Sequence, residues 1–355
     1  MKKVIAFALI LVMVMGLCAC GQSAAPATET KTETTTAAEP ATTEMAAEPE
    51  FVLRCGSNHA ATFCTSVALQ DWADMVYERT NGRIKIELYF DAVLGEEKAM
   101  LEQCAYGGLD FVRGNISPMC EFVDDFNALC MPYIYSSDEQ FWKALETVGM
   151  DIMHGEKIES AGLWGLTFYD GGSRNFYNSK KDIHTPDDMK GMNIRVQESS
   201  LMIGMIEALG ASATAMPYAD VYSGLQTGVI DGAENSFVQW IEVSHCEVAP
   251  HFTKDGHTRA PDLLVMSAAT KAKLDPADVK IIEDAAYDSW LNQREYWAQA
   301  EEEALAKLDA TGIDYTITEL TDEEFKQFSD ACSTLWTTYE NGKYLDIINQ
   351  IVAIE

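Results

Sequence analysis

The sequence predicts an α/β protein, and the stretch from Lys190 to Trp240 predicts it most clearly. Three observations carry the expectation. Met192-Asn193-Ile194-Arg195-Val196 alternates apolar and polar side chains with the period of a strand. Ile203, Ile206 and Leu209 then share one face of a helix that stops at Gly210. A short extended piece from Ala213 to Met216, a second helix from about Ala219 to Gln226 and a turn lead into a third strand, Val229 to Asn235. Strand, helix, strand, helix, strand is the unit of an α/β sheet. Ligands of such sheets bind beyond the carboxyl ends of the strands, and Arg195 and Asn235 both sit near such ends. Two partners are open to Arg195, because an arginine is costly to bury alone. One is an internal acid, drawn from 56 Asp and Glu; the other is an anionic ligand.

The remaining elements follow in order. Lys2 and Lys3 precede an apolar run, Val4 to Leu17, that is too short and wrongly flanked for a membrane span and reads as a signal peptide over residues 1–20. Residues 21–50 are Ala, Thr, Pro and Glu with almost no large apolar side chain, the composition of a disordered tether. Globular composition starts at Phe51. Val52 to Cys55 is expected as a first strand, with His59 in the loop after it, before a helix from Thr65 to Arg79 that Asn81-Gly82 ends. Ile84, Ile86 and Leu88 form the second strand, and Glu96-Glu97 opens a helix to Tyr106. Leu109 to Val112 is the third strand, with Arg113 at its carboxyl end. Trp164 to Phe168 and Ser173 to Tyr177 are further strands, separated by Gly171-Gly172. Thr185-Pro186-Asp187-Asp188 is a helix start, with a capping Thr, Pro at the first position and acids at the positive dipole end. Pro261 to Ser267 is a strand, Asp275-Pro276 opens a helix to about Asp309, and Tyr315 to Ile317 is a short strand. Thr321 to Tyr339 and Tyr344 to Ile354 are closing helices.

Composition removes several function classes. A net charge of −31 excludes a general nucleic-acid binder. Catalytic patterns are missing: there is no G-x-S-x-G, H-E-x-x-H, Walker loop or G-x-G-x-x-G. Glu96 and Glu97 are adjacent and point about 100° apart on a helix, which does not make an acid/base pair. His245, His251 and His257 are six apart, unsuited to one helix face or a zinc loop, and read as structural or surface residues. Neither an enzyme nor a metal or cofactor is expected. Seven cysteines beyond residue 20, odd in number and with no C-x-x-C, read as buried free thiols. Against so acidic a background an anion must be held locally, and only eight arginines exist to hold it. Arginine suits a carboxylate better than lysine because its planar fork bonds both oxygens.

Many words of the chain, in order, resemble one family. NGRIKIELYFDAVLGEEKAMLEQCAYGGLDFVRGNIS, DDMKGMNIRV and EALGASATAMPYADVYSGLQTGVIDGAEN are similar to the DctP-like solute-binding proteins of TRAP-type (tripartite ATP-independent periplasmic) transporters. The resemblance runs from about Val52 to the C-terminus. It implies a periplasmic-binding-protein-like fold: two α/β lobes around a ligand cleft, joined by hinge strands and a long helix. Residues 51–172 plus 261–300 would form the first lobe and 173–260 plus 301–355 the second, with Met131-Pro132-Tyr133 as one crossing. It also implies that Arg195 clamps the carboxylate of a small organic acid. LTFYDGGSRNFYN, IRVQESS, DGAENSFVQW and SHCEVAPHFTKDGHTRAPDLLVMS look like the branch that binds hexuronates and related aldonates. Ser236-Phe237, Cys246 and Pro250 depart from that branch. Leu17-Cys18-Ala19-Cys20 resembles a lipobox, making Cys20 a lipid anchor on the outer face of the membrane.

The expected ligand-binding residues are Arg195, Arg174, Asn235, Glu97, His59 and Arg113. Arginines would hold the carboxylate of a sugar acid, and Glu97, Asn235 and His59 its hydroxyls. The expected partners are that ligand, the transporter's membrane subunits and, through Cys20, the membrane; the chain is expected to act as a monomer. The same family also holds C4-dicarboxylate binders, and the same fold could serve a sensor.

Overall fold

The computed structural model describes residues 48–354. The expected signal peptide, Cys20 and most of the expected tether lie outside the described residues. Eleven strands are described: β1 Phe51–Gly56, β2 Ile84–Tyr89, β3 Phe111–Asn115, β4 Leu163–Tyr169, β5 Ser173–Asn178, β6 Asn193–Val196, β7 Ser212–Ala215, β8 Gly232–Asn235, β9 His251–Arg259, β10 Asp262–Ser267 and β11 Thr316–Glu319. They form two sheets. The first has the order β2-β1-β3-β10-β4 and the second β11-β9-β5-β8-β6-β7. β1 runs parallel to β2 and β3 because the helices Cys64–Arg79 and Glu97–Ala105 supply the crossovers. In the second sheet β6 is parallel to both β7 and β8, joined by the helices Ser200–Ala208 and Val221–Thr227, the unit expected from residues 190–240.

The chain crosses between sheets at residues 170–172 and at 260–261. Both crossings are tightly fixed. A Cβ on Gly171 would lie 2.7 Å from the carbonyl oxygen of Ala260, so only glycine fits there. Gly172 has φ +72° and would drive a Cβ to 2.6 Å from the Trp297 ring. Arg259 Nη2 bonds Asp170 Oδ2 at 2.9 Å, tying one crossing to the other.

The helix Pro276–Thr311 has 36 residues, about 54 Å at ~1.5 Å per residue. Val279, Ile282 and Trp290 on its first half join a core with Trp72 and Leu264 of the first sheet's side. Trp297, Ala304 and Leu308 on its second half join a core with Tyr177 and Trp240 of the second. Between them, buried Gln293 accepts from the Asp170 backbone N–H at 2.7 Å and donates to its carbonyl at 2.9 Å. β11 joins the second sheet, whereas the helix Leu345–Val352 buries Ile348 and Ile351 in a core with Phe141 and Leu145.

Three local expectations are corrected. Arg113 lies in the middle of β3, which starts at Phe111, and not at its end. Thr185 opens only a single 3₁₀ turn, Pro186–Met189, although its capping box is complete. β9 was not expected at all. Its Asp255 and His257 are buried and satisfied by each other.

Candidate ligand-binding site

All six expected site residues line one cavity between the sheets. Its walls stand close together and leave about 10 Å³ of free space. The first sheet's side supplies His59 from the loop after β1, Glu97 from the first turn of its helix, and Arg113 from β3. The second sheet's side supplies Arg174 from β5, Arg195 from β6 and Asn235 from the end of β8. β5, β8 and β6 are neighbours, so register alone brings the last three together: Asn175 faces Asn235 and Arg195 faces Ala233.

The three buried arginines are held in different ways. Arg113 pairs with Asp262 and, at 3.2 Å, with Glu97, and donates to Asn58 Oδ1 at 2.8 Å. Arg174 forks onto Glu234, with one bond at 2.9 Å, and donates to Asn235 Oδ1 at 3.1 Å. Arg195 makes no ion pair among the described residues. Its Nε and Nη2 donate to one carbonyl oxygen, that of Met216, at 2.9 and 2.6 Å. The residue is 3% exposed. The electrostatics follow this division. Burial pulls Arg113 and Arg174 down, but Asp262 and Glu234 outweigh it and both are raised. Burial lowers Arg195, and the charges of Glu234 and Glu97, neither of them paired with it, do not reverse this.

Other groups in the cavity are also incompletely used. His59 Nδ1 and Gln197 Oε1 are buried without a hydrogen-bond partner among the described residues. Burial and the Arg113 charge keep His59 well below its ordinary value, hence neutral. Burial raises the Glu97 carboxyl, while Oε1 already accepts from Arg113 and from the Asn115 backbone N–H at 3.1 Å. Asn235 Nδ2 donates to Gln239 Oε1 at 2.7 Å, and Tyr218 donates to the same oxygen at 3.1 Å. Gln197, Tyr218, Gln239 and Asp262 escaped the sequence reading. Gln197 had one signal: it lies two residues beyond Arg195, on the same side of an alternating strand.

A buried ionic chain runs outward from Arg174. Glu234 lies 3.4 Å from His257 Nε2, and His257 Nδ1 lies 2.8 Å from Asp255, which Tyr133 reaches at 3.2 Å. Burial opposes Glu234's charge, but Arg174 and His257 hold its carboxyl down at about 2. Burial likewise opposes the imidazolium of His257, but Asp255 and Glu234 raise it to about 9. A folded value above the ordinary one near 6.5 stabilises the fold fully below about pH 6.5, and this is lost as pH rises through about 9. The unliganded protein should therefore melt progressively lower from pH 7 to pH 10, and His257→Gln should flatten that slope. Equal slopes in wild type and variant would refute the assignment. His245 is buried against Tyr177, and His251 bonds Asp182 nearer the surface; neither approaches a metal-binding set among the described residues.

Two α/β lobes enclosing a polar cavity with one uncompensated cation define a protein built to hold a small anion. The sequence pattern of the bacterial extracellular solute-binding proteins, family 7 (DctP), matches residues 55–342, and the chain belongs to that family. A solute-binding protein of Chromohalobacter salexigens is 33% identical over 259 residues, 72% of this chain and 76% of its own. A TRAP periplasmic solute-binding protein from Bradyrhizobium sp. BTAi1, solved with α/β-D-galacturonate, superposes with TM-score 0.81 at 31% identity, covering 85% of this chain and 99% of that one. Another from Chromohalobacter salexigens, solved with D-glucuronate, gives TM-score 0.80 at 29% identity over 85% and 100% of the two chains. This chain is a TRAP solute-binding protein, a class that binds solutes for transporters. No helix among the described residues is long and apolar enough to cross a membrane.

Proposed function

We propose that the chain captures a monomeric sugar acid, foremost a hexuronate, and hands it to TRAP membrane subunits after the lobes close around it. The observation that carries this is Arg195, a buried guanidinium with no acid of its own in a cavity lined by polar groups. One carboxylate supplies what it lacks, in the two-pronged geometry that arginine favours. The second half of the ligand meets different chemistry. The first lobe presents Glu97 and Asp262, two acids sharing Arg113. That wall repels a second carboxylate and accepts hydroxyl protons, which favours a sugar acid over a C4-dicarboxylate. His59 Nδ1 and Gln197 Oε1 supply further hydroxyl partners. The galacturonate and glucuronate complexes of the related proteins support the same choice. Cys20 would fix the protein to the membrane that carries its partner subunits.

Thermal-shift screening tests the proposal. Glucuronate or galacturonate should raise the melting temperature, since a ligand at 100 times its Kd adds about 2.7 kcal/mol. Succinate and malate should not. Stabilisation by the dicarboxylates alone would overturn the sugar-acid reading.

A further inference from the structure

Beside the cavity around Arg195 lies a larger one of about 340 Å³, open on one side. The two share Asn58, His59 and Tyr218. The rings of His59 and Tyr218 face each other from the two lobes, with centroids 6.1 Å apart. His59, whose Nδ1 is buried without a partner among the described residues, thus lines both spaces. Beyond that boundary the lining changes character. Phe63 and Tyr222 add aromatic faces, Asp91, Glu96 and Glu242 add carboxylates, and no lysine or arginine lines the chamber. Glu242 is the one acid of the three with a cation beside it, Lys307 at 2.7 Å. Burial keeps His59 and His245 neutral, the latter at about 3.

One wall is held in a conformation that non-glycine residues seldom adopt. Asp91 and Ala92 both have φ +54°. Their backbone N–H groups bond the carbonyls of His59 and Ser57 at 2.9 and 3.2 Å. The loop is therefore pinned to the segment that carries His59, and the chamber keeps its shape beside the boundary.

We propose that this chamber receives a second, uncharged sugar ring, so that the chain binds an aldobiuronic acid: a uronate whose anomeric oxygen carries a neutral sugar. The inference rests on the sugar-acid reading of the inner cavity. Aromatic faces suit the C–H faces of a pyranose, and carboxylates accept its hydroxyl protons. Three acids without a lining cation repel a second carboxylate, so a diuronide is rejected. The neutral imidazole of His59 can donate to an oxygen at the linkage or accept from a hydroxyl beside it.

Calorimetry on the purified chain tests this with matched pairs: glucuronate against glucuronosyl-galactose, galacturonate against galacturonosyl-rhamnose, and digalacturonate as the diacid. Each neutral-capped disaccharide should bind within about threefold of its monosaccharide or more tightly, and digalacturonate about tenfold more weakly or worse. Val243→Trp fills the chamber and should cost the disaccharides about tenfold while monosaccharides stay within about twofold. Tyr222→Ala should weaken the disaccharides alone. A larger loss for the disaccharides in the wild type, or equal losses for both ligand sizes in Val243→Trp, overturns the chamber. Disaccharides binding where monosaccharides fail overturns the monomer reading and leaves the chamber standing. Failure of both overturns both.

Discussion

Arg195→Met should abolish measurable ligand binding while the unliganded protein melts at the same temperature or higher. Two charge-assisted bonds to a carboxylate, at roughly 1.5–3 kcal/mol each, amount to about 100-fold in affinity or more. The apo half of the expectation follows from what surrounds the side chain. Among the described residues Arg195 has no ion pair to lose, only two bonds to the Met216 carbonyl, and its removal relieves the burial of a charge. Arg195→Lys keeps the charge without the fork and should lose about tenfold or more in affinity. Calorimetry with a uronate and melting without it, on the same variant, settle the matter. A lowered apo melting temperature with intact affinity would return Arg195 to an internal structural role.

Glu234→Gln should do the reverse to stability. Glu234 is fully buried, and Arg174 is fixed on both of its oxygens and on its backbone carbonyl. Removing the acid leaves a guanidinium buried without its counterion, at a cost of about 3–5 kcal/mol. It also removes one of the two acids that hold the proton on His257. The apo melting temperature should fall by several degrees, and a denaturant titration should show the midpoint shift. An unchanged midpoint would mean that Arg174 is free to serve a ligand as Arg195 is proposed to do. Two arginines from one sheet, lining one cavity, are thus expected to respond with opposite signs.

The legible parts of the chain were those whose meaning is local. The α/β unit from residue 190 to 235 carries its own periodicities and stop signals, and it stands in the second sheet as read. Arg195 was conspicuous because it sits beside buried Ile194 and Val196 on a short strand. The family resemblance singled it out from Arg113 and Arg174, but the physical reason was not legible. All three are arginines near strands, and only tertiary contacts reveal that Asp262 and Glu234 have already claimed two of them. β9 was hidden for the same reason. Its charged residues look solvated until Asp255, His257 and Glu234 are seen to neutralise one another across strands. Gln197 is another case: a polar residue after a strand is ordinary, and an orphaned oxygen in a cavity is not.

The helix Pro276–Thr311 has a mechanical meaning. One half is set into the core around Trp72 and the other into the core around Trp240, so neither lobe can slide along it without tearing its own packing. Gln293 grips the Asp170 crossing near its middle and marks a fulcrum. Jaws turning about a fixed fulcrum shut to one end position, which the beam sets and not the load. Under the lobe closure proposed above, the cleft would then offer its membrane partner the same spacing whichever fitting solute it holds.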